Sequence, residues 1–304
     1  MKQAEIPSLG LGNDPGFVRD VRPRDQDGSR DRSRGWLDTS GGSRFLGGPA
    51  MNASFLHSPD PNDSNIGAPF DPHASRGGGV ATAPDPRVLA PSAPVDEWLG
   101  IFEEVYRDAS GDTSRIPWAH KRACPWLLSW LNVEAPMLVR PGARVAVVGC
   151  GLGEDAAALA ERGYEVTAFD ACPSAIEWAQ RLHAEDPITF MQANLFELPT
   201  RLLRRFDLVI EVHTLQALPP AHRTALAQGM ADLLNHSGVL LAIARGREES
   251  VPLDHVEGPP FAFTARELTG VMAQTGLSPV RAIDEFLDDN APPVRRLRGA
   301  FRRG

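Results

Sequence analysis

Lysine is nearly missing from this chain: only Lys2 and Lys121 occur, so almost all of the positive charge is arginine. The imbalance reads as codon bias in a GC-rich genome, not as an arginine-based function. Cysteine is scarce too. Cys124, Cys150 and Cys172 show no paired spacing, which excludes a disulfide framework and a cysteine-based zinc site. No apolar run approaches the roughly 18 residues that a transmembrane helix needs, and the N-terminus lacks the apolar stretch of a signal peptide. A reducing, cytoplasmic setting is the resulting expectation. The formal charge is −8, whereas an electrostatic nucleic-acid binder presents a basic face. The eight histidines form no metal-ligand constellation.

Residues 1–93 read as a disordered tail. The first 90 positions hold 13 of the 28 glycines and 10 of the 27 prolines, and their apolar residues follow no period. Such a segment buries too little surface to offset the entropy of ordering it. Its run from Ser29 to Arg34 mixes charges and reads as solvated, with a protein or RNA contact as the alternative, and Met51 offers an alternative start.

Order is expected from Val95. Trp98, Ile101, Phe102, Val105 and Tyr106 form one apolar stripe at helical spacing, with Asp96 as the cap. After the apolar loop Ile116-Pro117-Trp118, a second helix is predicted over Pro125–Val133. From Arg144 the period changes. Strands are predicted at 144–148, 165–170, 188–192, 206–212 and 239–244, with helices at 154–162, 173–184 and 219–235 between them. A helix at 264–275 and extended stretches near 278–286 and 294–302 follow. Near-continuous apolar strands alternating with helices imply a doubly wound α/β domain, with a mostly parallel, seven-stranded sheet covered on both faces.

The first strand runs into Gly149-Cys150-Gly151-Leu152-Gly153-Glu154-Asp155. Three alternate glycines at a strand-to-helix turn allow unusual dihedrals and the close approach of a ligand, at the edge where open α/β sheets bind one. Cys150 fits there as a small packing residue. Asp170 ends the second strand, 17 positions beyond Gly153, where an acid can accept both hydroxyls of an adenosine ribose. Its alternative role is a helix cap. A dinucleotide fingerprint would place Gly or Ala at 154. Glu154 and Asp155 would instead repel a pyrophosphate, but they tolerate the sulfonium and ammonium of S-adenosylmethionine. After the third strand, Asn194 offers a donor and an acceptor to an adenine edge, walled by Leu195 and Phe196. An Asx-turn is the alternative for Asn194.

With these pieces in order, the chain from about residue 98 resembles the class I S-adenosylmethionine-dependent methyltransferases. Within them it resembles the thiopurine S-methyltransferase family and its bacterial relatives. The narrower likeness rests on Ile116-Pro117-Trp118, on Leu218-Pro219-Pro220-Ala221-His222-Arg223 and on Gly258-Pro259-Pro260-Phe261. The resemblance implies a Rossmann-like methyltransferase domain over 94–304 with a helical lid over 94–142. It implies methyl transfer from S-adenosylmethionine to a small-molecule acceptor, whether sulfur, oxygen, nitrogen or halide. Gly149, Gly151 and Gly153 would cradle the methionine portion, Asp170 the ribose, and Asn194 with Leu195 the adenine. Trp118 would close over the reactive end, while Thr214 and Arg223 would face the acceptor; a solvated arginine at a helix start is the alternative for Arg223. Glu211, His213 and His120 are the candidates for a general base, should one be needed. No nucleic acid, membrane or metal partner is expected, and the protein is expected to be a monomer. An NAD-dependent oxidoreductase, or a catalytically silent methyltransferase-like binding module, stays open as the alternative.

Overall fold

A computed structural model of the chain describes residues 89–304. The expectations placed on residues 1–88, including the disordered tail, the run from Ser29 to Arg34 and Met51, lie outside the described residues.

Helix α1 (Val95–Ala109) buries Trp98, Ile101 and Tyr106 of the expected stripe together with Ala109, while Phe102 and Val105 are half-buried. Its cap differs: Pro94 is the N-cap, and Asp96 sits in the first turn, where it complements the helix dipole. After α2 (Pro125–Val133) and the short α3 (Ala135–Leu138), strand β1 (Arg144–Val148) opens the sheet. Then follow α4 (Glu154–Ala160), β2 (Glu165–Asp170), α5 (Pro173–Leu182), β3 (Ile188–Gln192) and β4 (Phe206–Val212). The chain continues through α6 (Arg223–Leu233), β5 (Leu234–Arg245), α7 (Ala265–Gln274), β6 (Leu277–Pro279), β7 (Asp284–Leu287) and β8 (Arg295–Arg303).

The strand order is β3-β2-β1-β4-β5-β8-β6, with β7 also paired to β8. Strands β1 to β5 are mutually parallel, and β8 runs antiparallel to its neighbours. Each central strand alternates between two buried faces. Ala146, Val148, Val209 and Leu240 join a core with α6, α7 and Trp98. Val145, Val147, Leu208 and Leu241 join another with α2 and α4. The chain reverses its direction of winding between β1 and β4, so their carboxyl ends open a crevice. The glycine turn lies in it.

Two elements depart from expectation. The stretch predicted near 278–286 divides into β6 and β7, which lie end to end along β8. Four residues (280–283) separate them, while only Gly299 and Ala300 separate their partners on β8. The excess forces a bulge, and the sheet has eight strands instead of seven. Strand β5 begins five residues early, at Leu234, and bulges at once. Asn235 supports that bulge: its Oδ1 accepts the Ser237 amide at 3.1 Å, and its Nδ2 donates to Asp207 at 2.6 Å.

Side chains tie the N-terminal helices to the helices that cover the sheet. Glu103 of α1 accepts the backbone amide of Ser174 at 3.1 Å and its hydroxyl at 2.5 Å, at the start of α5. Asp155 of α4 accepts the amide of Cys124, the N-cap of α2, at 2.7 Å. Both bonds satisfy donors that a helix start leaves without partners.

Candidate active site

A cavity of about 430 Å³ opens at the carboxyl ends of β1 and β4, a volume typical of small-molecule sites. Its floor is the glycine turn. Gly149 has φ +59°, and a Cβ there would stand 2.4 Å from Thr214 Oγ1. The Thr214 hydroxyl is fixed in place, donating to the Val148 carbonyl at 3.0 Å. Gly151 has φ +54°, and a Cβ on it would approach the Tyr106 hydroxyl at 3.1 Å. The bare backbone therefore lets β4's loop and α1 close down on the turn.

Asp170 is the hub of this floor. Its Oδ2 accepts the Gly151 amide and its Oδ1 the Cys172 amide, both at 3.0 Å. The alternative role of a helix cap is not the one it plays: Cys172 is the N-cap of α5 and has no side-chain cap bond, while Asp170 holds the amide of that N-cap residue in an i+2 turn. A carboxylate offers about four lone-pair sites, so each oxygen keeps one for a ligand. Burial raises the Asp170 carboxyl above its usual range, and it does the same to Glu154 and Asp155, the last to about 6. None of these three carboxylates forms an ion pair with a described lysine or arginine. Desolvated acids without a counter-charge form a seat for a cation.

Beside them, Asn194 Oδ1 accepts the Phe196 amide at 3.0 Å, the Asx-turn alternative, which leaves Nδ2 and one lone pair facing the cavity. Leu195 is buried below it. Trp118 lines the mouth. Its indole donates to the Tyr106 hydroxyl at 2.7 Å, and it sits edge-on to Phe102 and Tyr106. The helical spacing marked Tyr106 only as core, so its polar end was missed.

The opposite wall is cationic. His213, with φ +65°, and His120 line it together with Arg122, Arg245 and Arg296. Burial, then Arg296, His120 and Arg245, push His213 down to about 3, so its ring is neutral and weakly basic. Burial and Arg122 lower His120 as well. Arg245 and Arg296 were not singled out from the sequence.

Three expected site residues lie elsewhere. Gly153, the N-cap of α4 with φ +96°, is not on the cavity wall, and a Cβ there would meet the His183 and Phe190 rings at 2.9 Å. Arg223 is buried beneath α7 and does not line the cavity. Its guanidinium donates to the carbonyls of Phe261 at 2.7 Å and Ala262 at 3.1 Å, pairs with Glu267 at 3.3 Å and stacks 3.6 Å over the Phe263 ring. It is a structural arginine that anchors the segment after Gly258-Pro259-Pro260, whose two prolines do line the cavity. Glu211 is also fully buried and off the cavity wall. Its Oε1 accepts the Leu215 amide at 2.9 Å, while Oε2 has no partner.

Burial lifts the Glu211 carboxyl from 4.5 to about 7. A raised acid pKa means that the folded state binds a proton the unfolded chain has released. Stability therefore falls as pH rises from about 4.5 to 7. Glu211→Gln keeps the acceptor for Leu215 and removes the charge. It should stabilise the protein by roughly 2–3 kcal/mol at pH 8, raising Tm by about 5 °C or more, with little effect at pH 5. Equal melting temperatures at pH 8 would show that Glu211 carries no buried charge.

Among the described residues no group of three or more His, Cys, Asp or Glu side chains could hold a metal ion, and no helix is long and apolar enough to cross a membrane. Comparison with known proteins gives the site its context. A model of the thiopurine S-methyltransferase family matches residues 109–298. Thiocyanate methyltransferase 1 of Arabidopsis thaliana is 27% identical over 230 residues, covering 73% of this chain and 90% of the relative. Thiopurine S-methyltransferase of Shewanella putrefaciens is 25% identical over 188 residues, covering 57% of this chain and 83% of its own. Among solved structures, Burkholderia thailandensis 1,6-didemethyltoxoflavin-N1-methyltransferase, with S-adenosylhomocysteine bound, superposes with a TM-score of 0.53. At 22% identity, over 71% of this chain and 93% of that one, it shows a shared fold.

Proposed function

Because the chain belongs to the thiopurine S-methyltransferase family, we propose that this cavity seats S-adenosylmethionine against its acidic wall and a small methyl acceptor against its cationic wall. The observation that carries this reading is the set of three desolvated, unpaired carboxylates, Glu154, Asp155 and Asp170, around a bare glycine turn. They complement a sulfonium and an ammonium and would repel a pyrophosphate, which disfavours an NAD-dependent oxidoreductase. When bound, S-adenosylmethionine supplies an electrophilic methyl, whose bonding electron pair stays on sulfur as the acceptor's lone pair forms the new bond.

The protein's part is alignment and exclusion of water, and proximity of this kind lowers barriers by about 7–11 kcal/mol in well-oriented systems. The backbone of Gly149 and Gly151 holds the methionine portion, with Gly153 starting α4 behind them, Asp170 holds the ribose, and Asn194 with Leu195 the adenine. Trp118, braced by Tyr106, covers the reactive end, and residues 94–142 form the lid of a methyltransferase domain spanning 94–304. Thr214 braces the turn through Val148 and faces the acceptor. His213 is too weak a base to take a proton at neutral pH and Glu211 is off the wall, so His120, on the wall and lowered by burial and Arg122, is the remaining candidate should the acceptor not arrive already deprotonated. A cytoplasmic monomer acting on neither nucleic acid nor membrane agrees with three free thiols and an acidic balance.

Calorimetry with S-adenosylmethionine and with NADH tests the reading. Binding of the former alone is expected, weakening at least about three-fold from pH 7.5 to 5.5 as the Asp155 carboxyl, titrating near 6, takes up its proton. Binding of NADH, or an affinity that rises on acidification, would contradict it. Acceptor-dependent release of S-adenosylhomocysteine separates an enzyme from a silent module.

A further inference from the structure

The cationic wall is built from two arginines that face each other. Arg245 ends β5 and pairs in register with Arg296 of β8, and both side chains line the cavity. Like charges directly opposite on one sheet face destabilise it, so the pair needs compensation. Arg296 is half compensated: its Nε donates to Asp288 Oδ2 at 2.8 Å, and its guanidinium lies 4.6 Å over the Trp126 ring. The terminal nitrogens of Arg296 donate to no described group. Asp288 has no capacity left for Arg245. Its oxygens already accept the amides of Val294 and Asn290 and the Asn290 side chain. The Arg245 guanidinium has no hydrogen bond or ion pair with any described residue. Nearby, His213 buries an Nε2 without a partner, and Arg122 adds a third guanidinium to the same wall. Within the described residues, one carboxylate thus faces several cationic groups. The imbalance has the opposite sign to that around Asp170.

We propose that the methyl acceptor is a small carboxylic acid whose carboxylate docks on Arg245 and Arg296, with its nucleophilic atom elsewhere on the same molecule. A guanidinium is planar and presents parallel N–H donors, the geometry of a two-oxygen anion and not of a monatomic one. The carboxylate removes the like-charge conflict between β5 and β8 and fixes the acceptor's orientation at a distance from the sulfonium. The site thereby selects its substrate by charge at one end and leaves the reacting end to proximity. This inference rests on the methyltransferase reading above.

The test uses the full chain. Wild-type protein is first titrated with S-adenosylhomocysteine. The complex is then titrated with mercaptoacetate, 3-mercaptopropionate and 4-mercaptobutyrate, each beside its neutral amide, so that chain length scans the distance from carboxylate to thiol. At least one acid should bind ten-fold or more tightly than its amide. Arg245→Gln should abolish that preference, Arg245→Lys should keep part of it, and S-adenosylhomocysteine affinity should stay within two-fold in both. Arg245 has no described protein partner to lose, so the fold should tolerate either change. Acids that bind no better than their amides in the wild type, or a preference that survives in Arg245→Gln, would overturn the inference while leaving the cofactor reading intact. Failure of S-adenosylhomocysteine to bind the wild type would overturn both.

Discussion

Asp170→Ala lowers the affinity for S-adenosylhomocysteine by at least about 100-fold, because two hydrogen bonds to a charged group contribute roughly 1.5–3 kcal/mol each. The structure adds a second cost. Asp170 also holds the amides of Gly151 and Cys172, and removing it leaves both without partners, at about 1–3 kcal/mol apiece. A lower Tm is therefore expected together with the lost affinity. The two contributions separate in a cycle with a 2′,3′-dideoxy analogue of the ligand. The wild type should bind the analogue far more weakly than the parent compound. The variant, measured well below its own Tm, should barely distinguish them. A variant that still discriminates between the two ligands would place the ribose elsewhere.

Gly229→Ala should destabilise the protein by about 2–3 kcal/mol, the cost of overpacking a close-packed interior, and lower Tm by about 5–10 °C. Helix propensity alone points the other way, since alanine gains about 1 kcal/mol over glycine within a helix. Here the local gain loses. A Cβ on Gly229, in the middle of α6, would stand 2.2 Å from the carbonyl oxygen of Leu195. That neighbour is backbone, so the helix or the loop must move. The loop is the one that carries Asn194 and Leu195, and a weakening of S-adenosylhomocysteine binding by about ten-fold should accompany the drop in Tm. Thermal denaturation and calorimetry on one preparation read both effects. A raised Tm would mean that α6 does not press on the loop.

Where the chain obeys a local period, the sequence was enough to find its elements. The strands β1 to β4 and the helices α1, α2 and α7 follow from apolar spacing, and the glycine turn and Asp170 follow from their place after a strand. The sequence failed where distant residues decide. The apolar residues Leu233 and Leu234 prolong the pattern of α6, whereas Asn235 bonded to Asp207 turns the chain into β5. Arg223 looked accessible at a helix start. Its burial depends on carbonyls 38 and 39 positions away and on Glu267, 44 positions away. Arg245 left a usable signal, a charge ending an apolar strand at the ligand-binding edge. Arg296 left none, because it reaches that edge only through the antiparallel direction of β8. The Asx-turn at Asn194 was foreseen as one of two roles, and the free Nδ2 keeps the other open.

A crystal structure of the complex with S-adenosylhomocysteine tests the central claim most directly. The ribose hydroxyls should lie about 3 Å from the carboxylate of Asp170, with the sulfur turned toward His213 and Arg245. A ligand seated outside the glycine turn, or a ribose that leaves Asp170 without contact, would contradict the account.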